Sequence, residues 1–323
     1  MERILVTGGS GFIGTNVVCH LLDSGKYEVL NLDASTPKIP AHLSYWKQVD
    51  LLDEALLNSL ITQFKPHYVI HLAARTDLMG QSLEDYAANV QGVKNLLKAL
   101  DDVSDLKRVL FTSSMLVCRV GYQPLDDNDY QPSTYYGESK VEMEKLIRQY
   151  NPSYSWCFLR PTSIWGPWFG EPYANFFKMI LSHTYVNLGH RACTKTYGFI
   201  DNALHQIMTL LTLPAANVNG RVFYLGDYEP YNISEWALEI GKLAHIRIPT
   251  IPYFVFKGGA LCGDLLKRIG IRFPLTSFRL KNMTTDNIVN MQATQQLIPT
   301  LPVSRLEGDK RTLAWLKNES VKE

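Results

Sequence analysis

The stretch RILVTGGSGFIG, Arg3 to Gly14, limits the possible folds more than any other part of the chain. An apolar run suited to a buried strand ends in a turn with four glycines in eight residues, and the turn opens a helical pattern. Glycine supplies the unusual φ angles and the close backbone approach that such a junction needs. The junction is either a tight structural turn or a seat for a phosphate group, and the rest of the sequence has to decide between them.

Short apolar runs alternate with longer stretches of helical period through the first half. The runs predict strands over Arg3–Thr7, Glu28–Asp33, Tyr68–Ala73, Arg108–Ser113 and Ser155–Leu159. The periodic stretches predict helices over Phe12–Ser24, Glu54–Phe64, Leu83–Leu100 and Thr134–Tyr150. Repetition of strand, helix, strand specifies an α/β fold built on a doubly wound parallel sheet. After Pro161 the bend PTSIWGPWFGEP changes the texture, which places a domain boundary near it and divides the chain into an α/β domain, 1–165, and a smaller α/β region, 166–323. The second region has strand-like TKTYGFID and RVFYLGD, with helices expected over Asn202–Thr212, Ser234–Ala244 and Arg305–Lys317. Its part from about 195 to 228 is a candidate to return to the sheet.

Charge narrows the class of ligand. With 32 basic and 31 acidic residues the net charge is +1, so no global field favours nucleic acid or an anionic membrane, and a small molecule is the expected partner. Five scattered cysteines without a C-x-x-C pair, and no secretory leader after Met1, fit reduced thiols in the cytoplasm. None of the eight histidines has metal-ligand spacing, so no metal site is expected. The most apolar later segment, YFVFKGGALCGDLLKRIGI, is interrupted by Lys257, Asp264, Lys267 and Arg268 and is too charged to span a bilayer.

Gly9, Gly11 and Gly14 satisfy G-x-G-x-x-G, and Gly8, Gly11 and Gly14 satisfy G-x-x-G-x-x-G. In a strand–turn–helix setting one glycine makes the turn, one admits a pyrophosphate and one lets helix and strand pack closely. Asp33 closes the next strand, EVLNLD, where a carboxylate accepts the adenosine ribose hydroxyls and repels a 2′-phosphate, so NAD is favoured over NADP. A phosphate-loop ATPase is disfavoured because Thr15, not lysine, follows Gly14.

YYGESK places Tyr136 and Lys140 four apart, on one face of a helix. A phenol titrates near 10, and bringing it to neutrality costs about 4 kcal/mol, which a neighbouring ammonium and a positive nicotinamide can supply. Tyr136 then takes a proton from a substrate hydroxyl as hydride leaves its carbon. The run RVLFTSS brings Thr112 and Ser114 to the carboxyl edge of the sheet, where Ser114 can hold the substrate oxygen.

These pieces resemble the extended short-chain dehydrogenase/reductases of the NAD-dependent epimerase/dehydratase family. VTGGSGFIG, Asp33, VDLLD, HLAA, NVQGVKNLL, FTSSMLV, YYGESK, LRPTSIWGP and YGFIDN occur in the family's order over roughly residues 3 to 202. The resemblance implies an NAD-binding Rossmann domain and a smaller C-terminal substrate domain. It places Gly8, Gly11, Phe12, Ile13 and Gly14 at the pyrophosphate, and Asp50 and Leu51 near the adenine. Leu72, Ala73, Ala74, Thr112, Tyr136 and Lys140 lie along the cofactor, with Asn89 toward the nicotinamide. Ser114, Tyr136 and Lys140 are the catalytic set. Ser163 stands where many sugar-nucleotide members have Asn, and Lys195 near their phosphate-contacting Arg. A homodimer through the third and fourth helices is also implied.

Departures from the family narrow the reaction. Family dehydratases follow the catalytic Thr with Asp-Glu, and here those positions are Met115 and Leu116, which transfer no protons. A 4,6-dehydratase is therefore not expected. The leading reading is a nucleotide-sugar epimerase acting at C4 of a UDP-hexose by transient oxidation. The alternative is a keto-sugar reductase or a 3β-hydroxysteroid-type dehydrogenase, to whose members ALCGDLLKRIGIRFPLTSFRLKNM is weakly similar. The intact catalytic set argues against a non-enzymatic dinucleotide sensor. Cys118-Arg119 replaces the family's usual Tyr-Gly and reads as altered loop packing. His71 reads as a structural histidine. Trp165, Trp168 and Phe169 are either pocket-lining or buried turn aromatics.

Overall fold

In the computed structural model, residues 1–171, 173–188, 192–268 and 277–320 are described. Part of the steroid-dehydrogenase-like segment, residues 269–276, lies outside them. The first half contains β1 (Glu2–Thr7), α1 (Phe12–Ser24), β2 (Tyr27–Asp33), β3 (Trp46–Gln48), α2 (Glu54–Phe64), β4 (Tyr68–His71), α3 (Ala87–Asp101), β5 (Arg108–Thr112), α4 (Tyr135–Tyr150) and β6 (Ser155–Pro161). The expected helix from Leu83 is divided: Glu84–Tyr86 is a separate 3-10 turn before α3.

One seven-stranded sheet has the order Val222–Leu225, β6, β5, β4, β1, β2, β3, with every pairing parallel. The chain winds outward from β1 through β2 and β3, then crosses to β4 on the other side of β1. That reversal opens a crevice beyond the carboxyl ends of β1 and β4. Alternation along β1 supplies both faces: Ile4 and Val6 join Val17, Leu21, Ile200, Ile207 and Leu211, while Leu5 joins Leu57, Leu96, Val109 and Met143. Helix α1 and the helix Ile200–Thr212 therefore cover one face, and α2, α3 and α4 the other.

The strand-like TKTYGFID divides at Thr196. Thr194–Lys195 pairs with Tyr231–Asn232, and Tyr197–Phe199 pairs with Ser163–Trp165. A helix, Tyr173–Leu181, follows the bend, and the second half also contains helices over Tyr253–Arg268, Ser277–Thr284 and Gln292–Leu297. Trp165 is fully buried among Phe177, Phe199, Tyr231 and Trp236, and Trp168 and Phe169 pack on Trp315. All three serve packing.

Candidate active site

A cleft of about 640 Å³ runs over the carboxyl ends of the central strands. Gly8, Gly11, Phe12, Ile13 and Gly14 form one wall, with Asp33, Asp50 and Leu51 at one end and Leu72, Ala73 and Ala74 along the floor. Gly8 has φ +75°, and a Cβ there would lie 2.5 Å from the Ala73 nitrogen. A Cβ on Gly14 would lie 2.1 Å from the Gly8 carbonyl oxygen. The loop thus folds flat against itself and against the chain leaving β4, a closeness that admits only glycine.

Two side chains from β2 hold the loop in place. The Gly9 N–H donates to Asn31 Oδ1 (2.9 Å), and the Ser10 N–H donates to Asp33 Oδ2 (2.9 Å). Asn31 is fully buried and was not singled out from sequence. The other Asp33 oxygen accepts from the Ser35 N–H at 2.8 Å.

The chain's own residues fit a dinucleotide. Helix α1 begins at Gly11 with no side-chain cap, whereas α2 and α4 are capped by Asp53 and Thr134. Its first N–H groups have no intrahelical acceptor, and Phe12 and Ile13 line the cleft, which is the arrangement that receives a pyrophosphate. Buried hydroxyls of Thr112 and Ser113, both at the cleft, have no partner among the described residues.

Ser114, Tyr136 and Lys140 line the same cleft. Ser114 caps the short turn Met115–Val117 by accepting from the Leu116 N–H at 3.1 Å. A Cβ on Gly137 would meet the Leu116 carbonyl oxygen at 2.2 Å, so the glycine inside YYGESK lets α4 lie directly on this turn. Burial pushes the Tyr136 phenol up to about 12, partly offset by a hydrogen bond with Ser114. Burial also lowers the Lys140 ammonium to about 8, although Glu144 one turn away pulls it up. Lys140 Nζ donates to the Thr112 carbonyl at 2.8 Å, which anchors it to the end of β5.

Not every expected residue reaches this cleft. Asn89 is fully buried and brackets the backbone: its Oδ1 accepts from the Arg75 N–H, and its Nδ2 donates to the Arg75 carbonyl and to Ser139 Oγ. With both ends engaged, it ties the chain after β4 to α4 and is not among the described lining residues. Ser163 and Lys195 are not among the described lining residues; Ser163 hydrogen-bonds Tyr173, and Lys195 lies on the strand beside Tyr231. Arg75, Glu171 and Tyr173 do line the cleft and carry no motif that would have marked them.

Met115 and Leu116 line the cleft directly after Ser114. His71 is buried, shares a hydrogen bond with Thr7 Oγ1 (2.7 Å), and is lowered to about 3 by burial and the Lys140 charge. The Cys118 thiol donates to the Asp129 carbonyl and is pushed up by burial, opposite to what thiolate chemistry requires. No group of three metal-ligating side chains occurs among the described residues.

A Rossmann sheet whose switch-point cleft joins an uncapped glycine turn to a Ser-Tyr-Lys set defines a dinucleotide-dependent enzyme. Residues 4–226 match the sequence model of the NAD dependent epimerase/dehydratase family, and the chain belongs to it. It is an enzyme of the extended short-chain dehydrogenase/reductase type, with NAD as cofactor. A 3-beta-hydroxysteroid dehydrogenase of Mycolicibacterium neoaurum is 28% identical over 269 residues, covering 78% of this chain and 72% of that protein. An N-acetyl-alpha-D-glucosaminyl-diphospho-ditrans,octacis-undecaprenol 4-epimerase of Escherichia coli O157:H7 is 25% identical over 323 residues, covering 97% and 95%. Among solved structures, UDP-glucuronic acid 4-epimerase from Bacillus cereus in complex with NAD has a TM-score of 0.78 at 20% identity, covering 98% of this chain and 97% of that one. At that identity the likeness concerns the fold.

Proposed function

We propose that the protein is a 4-epimerase of a diphosphate-linked hexose, with a UDP-hexose as its substrate. The observation that carries the reading is the composition of the cleft around Tyr136: Ser114 hydrogen-bonded to it, Lys140 one turn further along α4 and lining the same cleft, and the apolar Met115 and Leu116 where an eliminating enzyme needs an acid and a base. The match of the undecaprenol-diphosphate sugar 4-epimerase along nearly the whole chain supports the same chemistry.

Bound NAD supplies the reversible two-electron oxidant for C4. Tyr136 Oη accepts the proton of the C4 hydroxyl as C4 becomes a ketone, and Ser114 holds that oxygen. A phenol at about 12 needs about 7 kcal/mol of stabilisation to ionise near neutrality, which the buried Lys140 ammonium and the charge of the oxidised cofactor supply together. The 4-keto sugar turns over, is reduced on its other face, and recovers its proton from Tyr136. Asp33 selects NAD by accepting the ribose hydroxyls, and the first turn of α1 seats the pyrophosphate. The assembly proposed is a homodimer through α3 and α4.

Incubation of the purified protein with UDP-galactose and UDP-N-acetylgalactosamine, without added cofactor, tests the proposal. Formation of the C4 epimer of either supports it, and failure with both counts against it. The similarity to 3-beta-hydroxysteroid dehydrogenases favours a second reading, an exchanging dehydrogenase of an apolar alcohol or a keto-sugar. That reading requires NADH to accumulate in proportion to product, whereas the epimerase regenerates NAD in every cycle.

A further inference from the structure

The helix Tyr253–Arg268 is apolar on both of its sides. Phe256 and Ala260 face inward and pack with Leu188 and Leu280. On the opposite side Phe254 is 74% exposed, Leu261 59% and Leu265 63%, and Val255 flanks them at 48%. Positions 254, 261 and 265 share one face of a helix, and Gly258 between them has nothing near its Cβ position. Exposed apolar side chains gathered on one face of a helix ordinarily mark a contact surface for protein or lipid.

Charge identifies the cover. The sequence from 253 to 281 contains six basic residues and one acidic residue, whereas the rest of the chain has 26 basic and 30 acidic residues. The near-neutral total therefore conceals one cationic segment on an otherwise anionic chain. Lys257 is exposed beside the apolar stripe. A second copy of this chain would bring two cationic segments face to face, which opposes self-association there. The one aromatic ring of the stripe, Phe254, makes no platform for stacking successive bases, and its other members are aliphatic. An exposed apolar stripe with Lys257 beside it, on a stretch of sequence with a net charge of +5, matches the boundary of an anionic bilayer, where apolar chains enter the acyl region and cations meet the headgroups.

The helix is also tied to the cleft. It packs with the helix Ser277–Thr284, and the chain then leads to Asn287, whose Oδ1 accepts from the Gly121 N–H (2.9 Å) and whose Nδ2 approaches Met115 Sδ (3.8 Å). Met115 is a wall of the cleft.

We infer that the outer face of the helix Tyr253–Arg268 is a docking surface for an anionic phospholipid membrane, on which the protein lies peripherally. No helix among the described residues is long and apolar enough to cross a membrane, so the contact is with the surface of one leaflet. This inference is independent of which substrate occupies the cleft.

Flotation of the full-length protein with vesicles of phosphatidylcholine alone, and of phosphatidylcholine mixed with phosphatidylglycerol, tests it. Binding is expected on the mixed vesicles only, and it weakens as salt rises. The double substitution Phe254→Asp with Leu261→Asp lowers the bound fraction about tenfold or more, and Lys257→Glu alone about tenfold, while turnover of a water-soluble substrate is unchanged. Because Lys257 is exposed and outside the packed face, its variant reads the surface even if the double variant folds poorly. Absence of binding to the mixed vesicles overturns the inference. So does binding that survives both changes, or sedimentation showing that these substitutions dissociate a dimer of a protein that floats with neither vesicle.

Discussion

Arg160 and Glu144 form a two-pronged ion pair with no access to solvent: Nε donates to Oε1 at 2.9 Å and Nη2 to Oε2 at 2.7 Å, with side chains 1% and 0% exposed. Glu144 lies one turn beyond Lys140 on α4, and Arg160 is near the end of β6. Tyr130 also donates to Glu144, and Arg160 lies against the rings of Tyr130 and Tyr224. The pair fixes the rotation of α4 against the sheet. Glu144→Gln leaves the guanidinium half-paired and is expected to cost about 3–5 kcal/mol in urea unfolding, while Glu144→Met with Arg160→Met recovers much of the loss. Equal damage in the single and double variants would refute this account.

Gly11 and Gly14 lie in one motif, but substitution tests different things at each. A Cβ on Gly14 meets backbone at 2.1 Å and 2.6 Å, whereas one on Gly11 meets only the Gly8 carbonyl oxygen at 3.3 Å. Gly14→Ala should lower both stability and NAD affinity. Gly11→Ala should change stability by no more than about 0.5 kcal/mol and still weaken NAD binding, measurable by calorimetry, because the added methyl faces the pyrophosphate seat.

Lys140 is held at the expense of stability. Its ammonium is lowered from 10.5 to about 8, so at pH 7 the folded state carries a strain of about 3 kcal/mol relative to the unfolded chain. Lys140→Met removes that strain and loses one hydrogen bond, for an expected gain of about 1–2 kcal/mol with turnover reduced at least about 100-fold. The stability gain fades as pH rises through 8, where the folded lysine releases its proton. Tyr136→Phe should lower turnover about 100- to 10,000-fold while NAD still binds.

His71 sets a limit on the acid side. Lowered from 6.5 to about 3, it stays neutral in the folded state while the unfolded chain takes up a proton. Its contribution is intact above pH 6.5 and falls with pH below that, by about 2 kcal/mol at pH 5. His71→Gln should flatten this part of the stability profile relative to the parent, measured by urea midpoints across pH; parallel profiles would contradict it.

The sequence is most readable where one short-range rule suffices. Strands β1, β4 and β5 are apolar runs because both faces of the sheet are covered, and α1, α2 and α4 have clear periodicity. Trp46–Gln48 escapes notice because three residues with largely polar chemistry on a sheet edge make no pattern. The glycine turn, Asp33, Tyr136 and Lys140 are legible through spacing along one turn or one strand. Asn31, Arg75 and Tyr173 are not, because their positions depend on which loops the topology sets side by side. Asn89 was placed at the cofactor by resemblance, yet its hydrogen bonds turn it toward Arg75 and Ser139.

The strand Val222–Leu225 has a consequence for how the protein is made. It is the outermost partner of β6, and Arg108 at the start of β5 donates to the carbonyls of Leu210 and Leu211. While a ribosome has released only the first 165 residues, β6 remains an open edge, α1 has no Ile200–Thr212 helix against it, and Arg108 lacks its acceptors. The nascent chain thus carries its glycine turn well before it has a closed sheet, and in that interval its open edge is available to chaperones and proteases.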